Sequence, residues 1–140
     1  MKGREEEYLR AIWSLEEGGV NPVRVRDISA VLDVTPPSVV QMLHRLEAMG
    51  LIEYSKHRQV AFTEVGRDAG AAIVRYHRLM EVLFGGVMEG SEDDVEMLSC
   101  GAEHFITPAI ADKLCTYLNH PSECPHGKAI PPGRCCAEER

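Results

Sequence analysis

Cys100, Glu103 and His104 set a thiol, a carboxylate and an imidazole at i, i+3 and i+4. On a helix that spacing puts all three on one face within a turn. All three are ligand types for divalent transition ions. Upstream, His77 and Glu81 at i and i+4 form a second two-donor face, and two such faces on successive helices can meet. A single His and Glu on a helix is most often a solvated pair, so the triple carries more weight than the pair. A thiol four residues from an imidazole is also the pattern of a nucleophile and its base. A Cys-His hydrolase is therefore an alternative, although the sequence offers no orienting third group and no oxyanion loop for it.

The chain that must position these residues has 140 residues, 44% of them hydrophobic and 26% charged. That is enough for one core, or for two small domains. No run of about 18 uncharged apolar residues exists, so no membrane-spanning helix is expected. The opening MKGREEEYLR lacks the apolar stretch of a signal peptide, and a cytoplasmic location is the expectation. In a reducing compartment the five cysteines, Cys100, Cys115, Cys124, Cys135 and Cys136, read as ligands or small buried hydrophobes. Their odd number also argues against a closed set of disulfides. The net charge of -7 is unevenly divided: residues 1–80 hold eleven Lys and Arg against eleven Asp and Glu, and residues 81–140 hold four against eleven. This excludes a generally basic polyanion binder and confines any phosphate-binding surface to a focused patch in the first half.

The expected fold class is mainly α with a small β-hairpin wing. Tyr8, Leu9, Ile12, Trp13 and Leu15 give a helical stripe over 5–16, ended by Gly18, Gly19 and Pro22. Val25, Ile28, Val31 and Leu32 mark a second, shorter helix. Thr35 caps a third, with prolines tolerated in its first turn and Val39, Met42, Leu43 and Leu46 as its buried face. Leu51 to Tyr54 and Gln59 to Phe62 flank the basic tip Ser55-Lys56-His57-Arg58 as a hairpin. Together these make a winged helix-turn-helix over residues 1–63. Residues 64–119 read as a helical domain. A connector helix runs over 64–88, a helix from Glu92-Asp93-Asp94 passes through Cys100 to about Phe105, and a last helix starts at Thr107-Pro108. Residues 120–140 are a Cys- and Pro-rich tail, expected to be loop or disorder unless something pins it. His120, Cys124, His126, Cys135 and Cys136 supply ligands enough for an ion, but their spacing matches no zinc pattern. A structural or incidental role is the expectation for them, and zinc binding or redox sensing the alternative.

Five stretches in order resemble the diphtheria toxin repressor family of metal-dependent transcriptional regulators, of iron-dependent repressor and manganese transport regulator type. They are EEYLRAIWSLEE, VRVRDISAVLDVTPPSVVQMLHRLEAMGLIEY, TEVGRDAG, RYHRLMEVLF, and CGAEH with ITPAIADKL. The likeness runs to about Pro131, and no segment is expected to form the SH3-like third domain that some members carry. The resemblance implies an N-terminal winged helix-turn-helix followed by a helical metal-binding and dimerisation domain. It implies a primary metal site of Glu7, Cys100, Glu103 and His104, and a second site of His77, Glu81 and Glu96. The set is a hybrid: iron-type members usually carry Met at the Glu7 position and His at the Glu96 position. Manganese-type members usually carry Glu at the Cys100 position and an acidic ligand at the Arg10 position. A thiolate favours Fe(II) over Mn(II), so Fe(II) is the expected ion, Mn(II) the next, with Co, Ni or Zn substituting in vitro.

The resemblance further implies a homodimer on double-stranded operator DNA, with the metal as corepressor for metal-homeostasis genes. Leu79, Leu83, Ile106, Ile110 and Leu114 are its expected dimer interface. Thr35, Pro37, Ser38 and Gln41 are expected to face bases or phosphates, Gln41 being able to pair with adenine, and Arg45, Lys56, His57 and Arg58 to meet phosphates. The same architecture with a different signal, a thiol redox sensor using Cys100 or the tail cysteines, is the remaining alternative.

Overall fold

The computed structural model describes residues 3–55, 57–88 and 91–137. Its contacts divide into two compact units, Met1–Ala71 and Ala72–Arg140. In the first, α1 (Gly3–Glu17) buries Tyr8, Leu9, Ala11 and Ile12. Strand β1 (Val23–Arg24) leads directly into α2 (Val25–Leu32), whose first turn is closed by the Arg24 N–H donating to Asp27 Oδ2 at 2.9 Å. Helix α3 (Pro36–Ala48) begins where Thr35 Oγ1 accepts from the Ser38 N–H at 3.4 Å, and its face of Val39, Met42, Leu43 and Leu46 is buried. Strands β2 (Ile52–Tyr54) and β3 (Gln59–Phe62) pair antiparallel, Ile52 opposite Phe62 and Tyr54 opposite Val60.

Strand β1 joins the other side of β3, giving the sheet order β1-β3-β2. The winged helix-turn-helix is therefore built on three strands. The third is two residues long, too short for alternation to announce it.

Helix α4 (Glu64–Val87) starts in the first unit and contributes most of its length to the second. Thr63 tethers its start, donating through Oγ1 to the Gly50 carbonyl at 2.7 Å and accepting from the Gly66 N–H at 3.0 Å. In the second unit every α4 residue from 73 to 81 is buried. Helix α5 (Glu92–Ala102) passes into a 3-10 turn (Glu103–Phe105), and α6 (Pro108–Tyr117) is capped by Thr107 Oγ1, which accepts from the Ile110 N–H at 3.3 Å.

One expectation is corrected here. The α5 helix stops at Ala102 instead of running to Phe105. The residues after it tighten to a 3-10 turn, so the helical face assumed for the Cys100 triple breaks before His104. Over residues 120–137 the tail is a loop that is pinned: Ile130, Cys124 and Cys136 are buried, and backbone hydrogen bonds from Cys124 to Lys128 and from Ile130 to Ser122 close a β-bridged loop. A second 3-10 turn (Arg134–Cys136) follows. Burial of these few side chains pins a segment that has no periodicity of its own.

Gly66 shows how closely α4 is seated. A Cβ there would stand 1.6 Å from the Leu51 carbonyl oxygen, whereas at Gly86 nothing lies within 4 Å. Gly66→Ala is expected to cost at least about 2 kcal/mol in urea unfolding, and Gly86→Ala to be neutral or stabilising by up to about 1 kcal/mol. Equal midpoints for the two variants would contradict this packing.

Candidate metal centre

Helix α4 brings four ionisable side chains, Arg75, His77, Arg78 and Glu81, into its buried turns. A helix enclosed on every side must partner such groups internally, because a buried charge without a partner is strongly disfavoured. His77 lies among three carboxylates: its Nδ1 is 2.7 Å from Glu103 Oε2, and its Nε2 is 3.3 Å from Glu96 Oε2 and 3.4 Å from Glu81 Oε1. Glu103 is wholly buried, and its other oxygen, Oε1, stands 3.5 Å from His104 Nε2. Cys100 donates through Sγ to Glu96 Oε1 at 3.6 Å.

Two donor groups result, each with ligand atoms within 4.8 Å of one another: His77 with Cys100 and Glu103, and His77 with Glu81 and Glu96. A thiol, an imidazole and carboxylates in one partly buried pocket are a donor set that suits a divalent transition ion, so these residues fit the group that the resemblance implies.

The sequence reading and this geometry differ in membership. Cys100 and Glu103 do come together, but their imidazole partner is His77 from α4, while His104 touches Glu103 from the other side. Glu103 thus joins the two sets that the spacing kept apart. His77, Glu81 and Glu96 converge, Glu96 from an exposed position on α5. Glu7 lies on the exposed side of α1 in the first unit.

Sequence reasoning missed a third group, Glu81 with Cys124 and His126, in which His126 Nδ1 stands 2.8 Å from Glu81 Oε2. It also left Cys115 out of the tail's ligands, yet Cys115, His120, Cys135 and Cys136 form a fourth group. Here Cys136 is held down to about 6: burial pushes it up, but hydrogen bonds with the Gly133 backbone, His120 and the neighbouring thiols outweigh that. Cys135 is pushed up to about 12, by burial first and then by Cys115 and Cys136, and burial raises Cys115 as well.

On the first unit, Pro37, Gln41 and His44 line a groove with Tyr54 and Arg58. Gln41, His57 and Arg58 are exposed. Thr35 and Ser38 share a 2.9 Å hydroxyl contact, so both are engaged in the α3 cap. Arg45 is bound to Glu5 Oε1 at 2.8 Å, a carboxylate that is itself buried, which leaves less of its charge for phosphate. Lys56 lies outside the described residues. In the second unit Leu79 is fully buried within its own chain, Leu83, Ile106 and Leu114 are half-buried, and Ile110 is exposed.

Residues 2–60 match the family model described as iron dependent repressor, N-terminal DNA binding domain. Residues 63–132 match iron dependent repressor, metal binding and dimerisation domain. The chain is 38% identical over 126 residues to the iron-dependent repressor IdeR of Mycobacterium tuberculosis, covering 90% of this chain and 54% of that protein. It therefore spans about half the length of the curated relatives it matches. A solved manganese-dependent transcriptional repressor in complex with manganese superposes with a TM-score of 0.82 at 27% identity, over 93% of this chain and 59% of that one. The hypothetical protein SSo2273 from Sulfolobus solfataricus gives 0.70 at 30% identity, over 94% of this chain and all of that one. With both family models matched in order along its length, the chain belongs to the iron-dependent repressor family.

Proposed function

We propose that this chain binds operator DNA as a homodimer and represses metal-homeostasis genes when a divalent transition ion is bound, Fe(II) in preference and Mn(II) next. The observation that carries the reading is Glu103: a fully buried carboxylate with one oxygen on His77 and the other on His104, in the same donor group as Cys100. Taking a carboxylate out of water costs several kcal/mol, about what a cation in contact with it can offset. His77, Cys100 and Glu103 are the residues that would hold the ion, and the resemblance adds His104 and Glu7. His77, Glu81 and Glu96 are the second set. When bound, the ion would supply positive charge among these acids and a fixed point that limits conformational freedom.

The thiol favours Fe(II) over Mn(II). The named relatives include one iron-dependent repressor and one repressor complexed with manganese, which fits a donor set of mixed hardness. Cys100 Sγ lies among the ligand atoms of His77 and Glu103, which favours a ligand's part for this thiol over the redox and hydrolase alternatives.

On the DNA side, Gln41 on the exposed face of α3 is suited to paired hydrogen bonds with adenine, and His57 and Arg58 on the wing to phosphates. Two such heads about 34 Å apart would read successive major-groove turns. Phe105, Ile110 and Tyr117, exposed at 82%, 42% and 81%, are apolar surface that a second copy would cover.

Gel shifts on operator DNA recovered by in vitro selection, with EDTA, Mn(II), anaerobic Fe(II) or peroxide, test this directly. Binding is expected only with metal and to be insensitive to peroxide in the Mn(II) form; binding in EDTA at full strength sinks the reading. Glu103→Gln is expected to weaken metal affinity about 10- to 100-fold, measured by competition with a fluorescent chelator. Gln41→Ala is expected to lose about 1–3 kcal/mol of discrimination at one base pair while leaving metal affinity unchanged. Ile110→Glu is expected to shift sedimentation toward monomer.

A further inference from the structure

Apart from the centre above, Cys115 near the end of α6, His120 just beyond it, and Cys135 and Cys136 on the last 3-10 turn converge in the second unit. The sulfurs of Cys115 and Cys136 are 3.5 Å apart and those of Cys135 and Cys136 are 3.7 Å apart. His120 Nδ1 is 3.6 Å from Cys115 Sγ and 3.7 Å from Cys136 Sγ. A tetrahedral zinc ion, with Zn–S of about 2.3 Å and Zn–N of about 2.0 Å, demands S···S edges of about 3.8 Å and S···N edges of about 3.6 Å. The observed edges lie within a few tenths of an ångström of those values. They are far longer than a sulfur–sulfur bond of about 2.0 Å, and all five cysteines are free thiols.

We propose that Cys115, His120, Cys135 and Cys136 form a closed, structural zinc site that fastens the C-terminal segment onto α6. Cys115 and Cys136 are almost completely buried; four of the six edges between the donors match a tetrahedral ion, and the other two lie within 4.8 Å. No position is left for substrate or exchange, which is the mark of a structural and not a responsive ion.

The surroundings fit a zinc tris-thiolate. Such a centre carries one net negative charge, and Arg75, whose side chain is only 6% exposed, donates to Cys135 Sγ at 3.4 Å and pairs with Asp112 Oδ1 at 3.0 Å. A cation held from outside the ligand shell is how such sites are oriented and neutralised. Gly133 makes room for it: a Cβ there would stand 2.5 Å from the Arg75 guanidinium carbon. The backbone is also spent on aiming the imidazole. Asn119 and His120 both adopt left-handed conformations, with φ of 65° and 51°, each costing about 1 kcal/mol for a residue with a side chain. The His120 N–H meanwhile donates to the Cys115 carbonyl at 2.8 Å.

The full-length protein, purified under reducing conditions and dialysed against EDTA, is expected to keep one zinc per chain by elemental analysis. Cys136→Ser and Cys135→Ser are each expected to lose it, the latter being the variant less exposed to misfolding because Cys135 is only half-buried. In a Cys100→Ser/Cys124→Ser background, where these three are the only thiols, Co(II) substitution is expected to give thiolate charge-transfer absorption and the intense visible bands of a tetrahedral ion. X-ray absorption of the zinc form should show three sulfurs and one nitrogen. EDTA-treated wild type without zinc, an unchanged zinc content in folded Cys135→Ser, or a Cys115–Cys136 disulfide in the freshly purified protein would overturn the site. Gel shifts play no part in this test, so it stands or fails separately from the repressor reading.

Discussion

The buried middle of α4 is the constraint around which the second unit is arranged. From Ile73 to Glu81 every residue is buried, yet Arg75, His77, Arg78 and Glu81 are polar or charged. Removing one partner of a buried ion pair typically costs about 3–5 kcal/mol, so each must be answered from another element. Glu103 and Glu96 answer His77, His126 answers Glu81, Asp112 and Cys135 answer Arg75, and the Ala129 carbonyl answers Arg78. These partners come from α5, the 3-10 turn, α6 and the tail, so one helix's electrostatics dictates where four later segments must dock.

That arrangement puts stability and the candidate metal ligands on the same residues. A carboxylate held between imidazoles and next to a thiol is a poor way to build an inert core and a good way to build a binding site. Apolar residues of equal volume would pack as well without the desolvation cost. The chain tolerates that cost at Glu103 because the surrounding donors satisfy it, and a cation would satisfy it further. The Cys115 group follows the opposite logic. Two of its four donors, Cys115 and Cys136, are buried, and the proposed ion would hold a segment with few apolar side chains of its own.

In the first unit the division of labour is between packing and presentation. Val39, Met42, Leu43 and Leu46 bury one face of α3 and so fix which face is presented, with Gln41 and His44 left outside. Charges that looked alike in sequence are not alike in place. Arg45 is held by buried Glu5, whereas Arg58 sits at the hairpin tip with a left-handed backbone, at φ 59°. The Arg45–Glu5 pair ties α3 to α1.

The sequence by itself determined the helices, the caps at Thr35 and Thr107, the hairpin and the family. Each of these is written in local spacing: apolar residues every three or four positions, a hydroxyl before a proline, alternation on either side of a basic tip. Ligand types and several ligands were legible for the same reason, since i, i+3 and i+4 on one element is a local statement. What only the tertiary structure decided is which donors meet. His77 joins Cys100 and Glu103 because α4 supplies an imidazole from 26 residues away. Cys115 reaches Cys136 across 21 residues by the same kind of contact. Such pairings depend on how buried faces dock, and docking is set by the sum of many apolar contacts, which leaves no periodic trace in the chain.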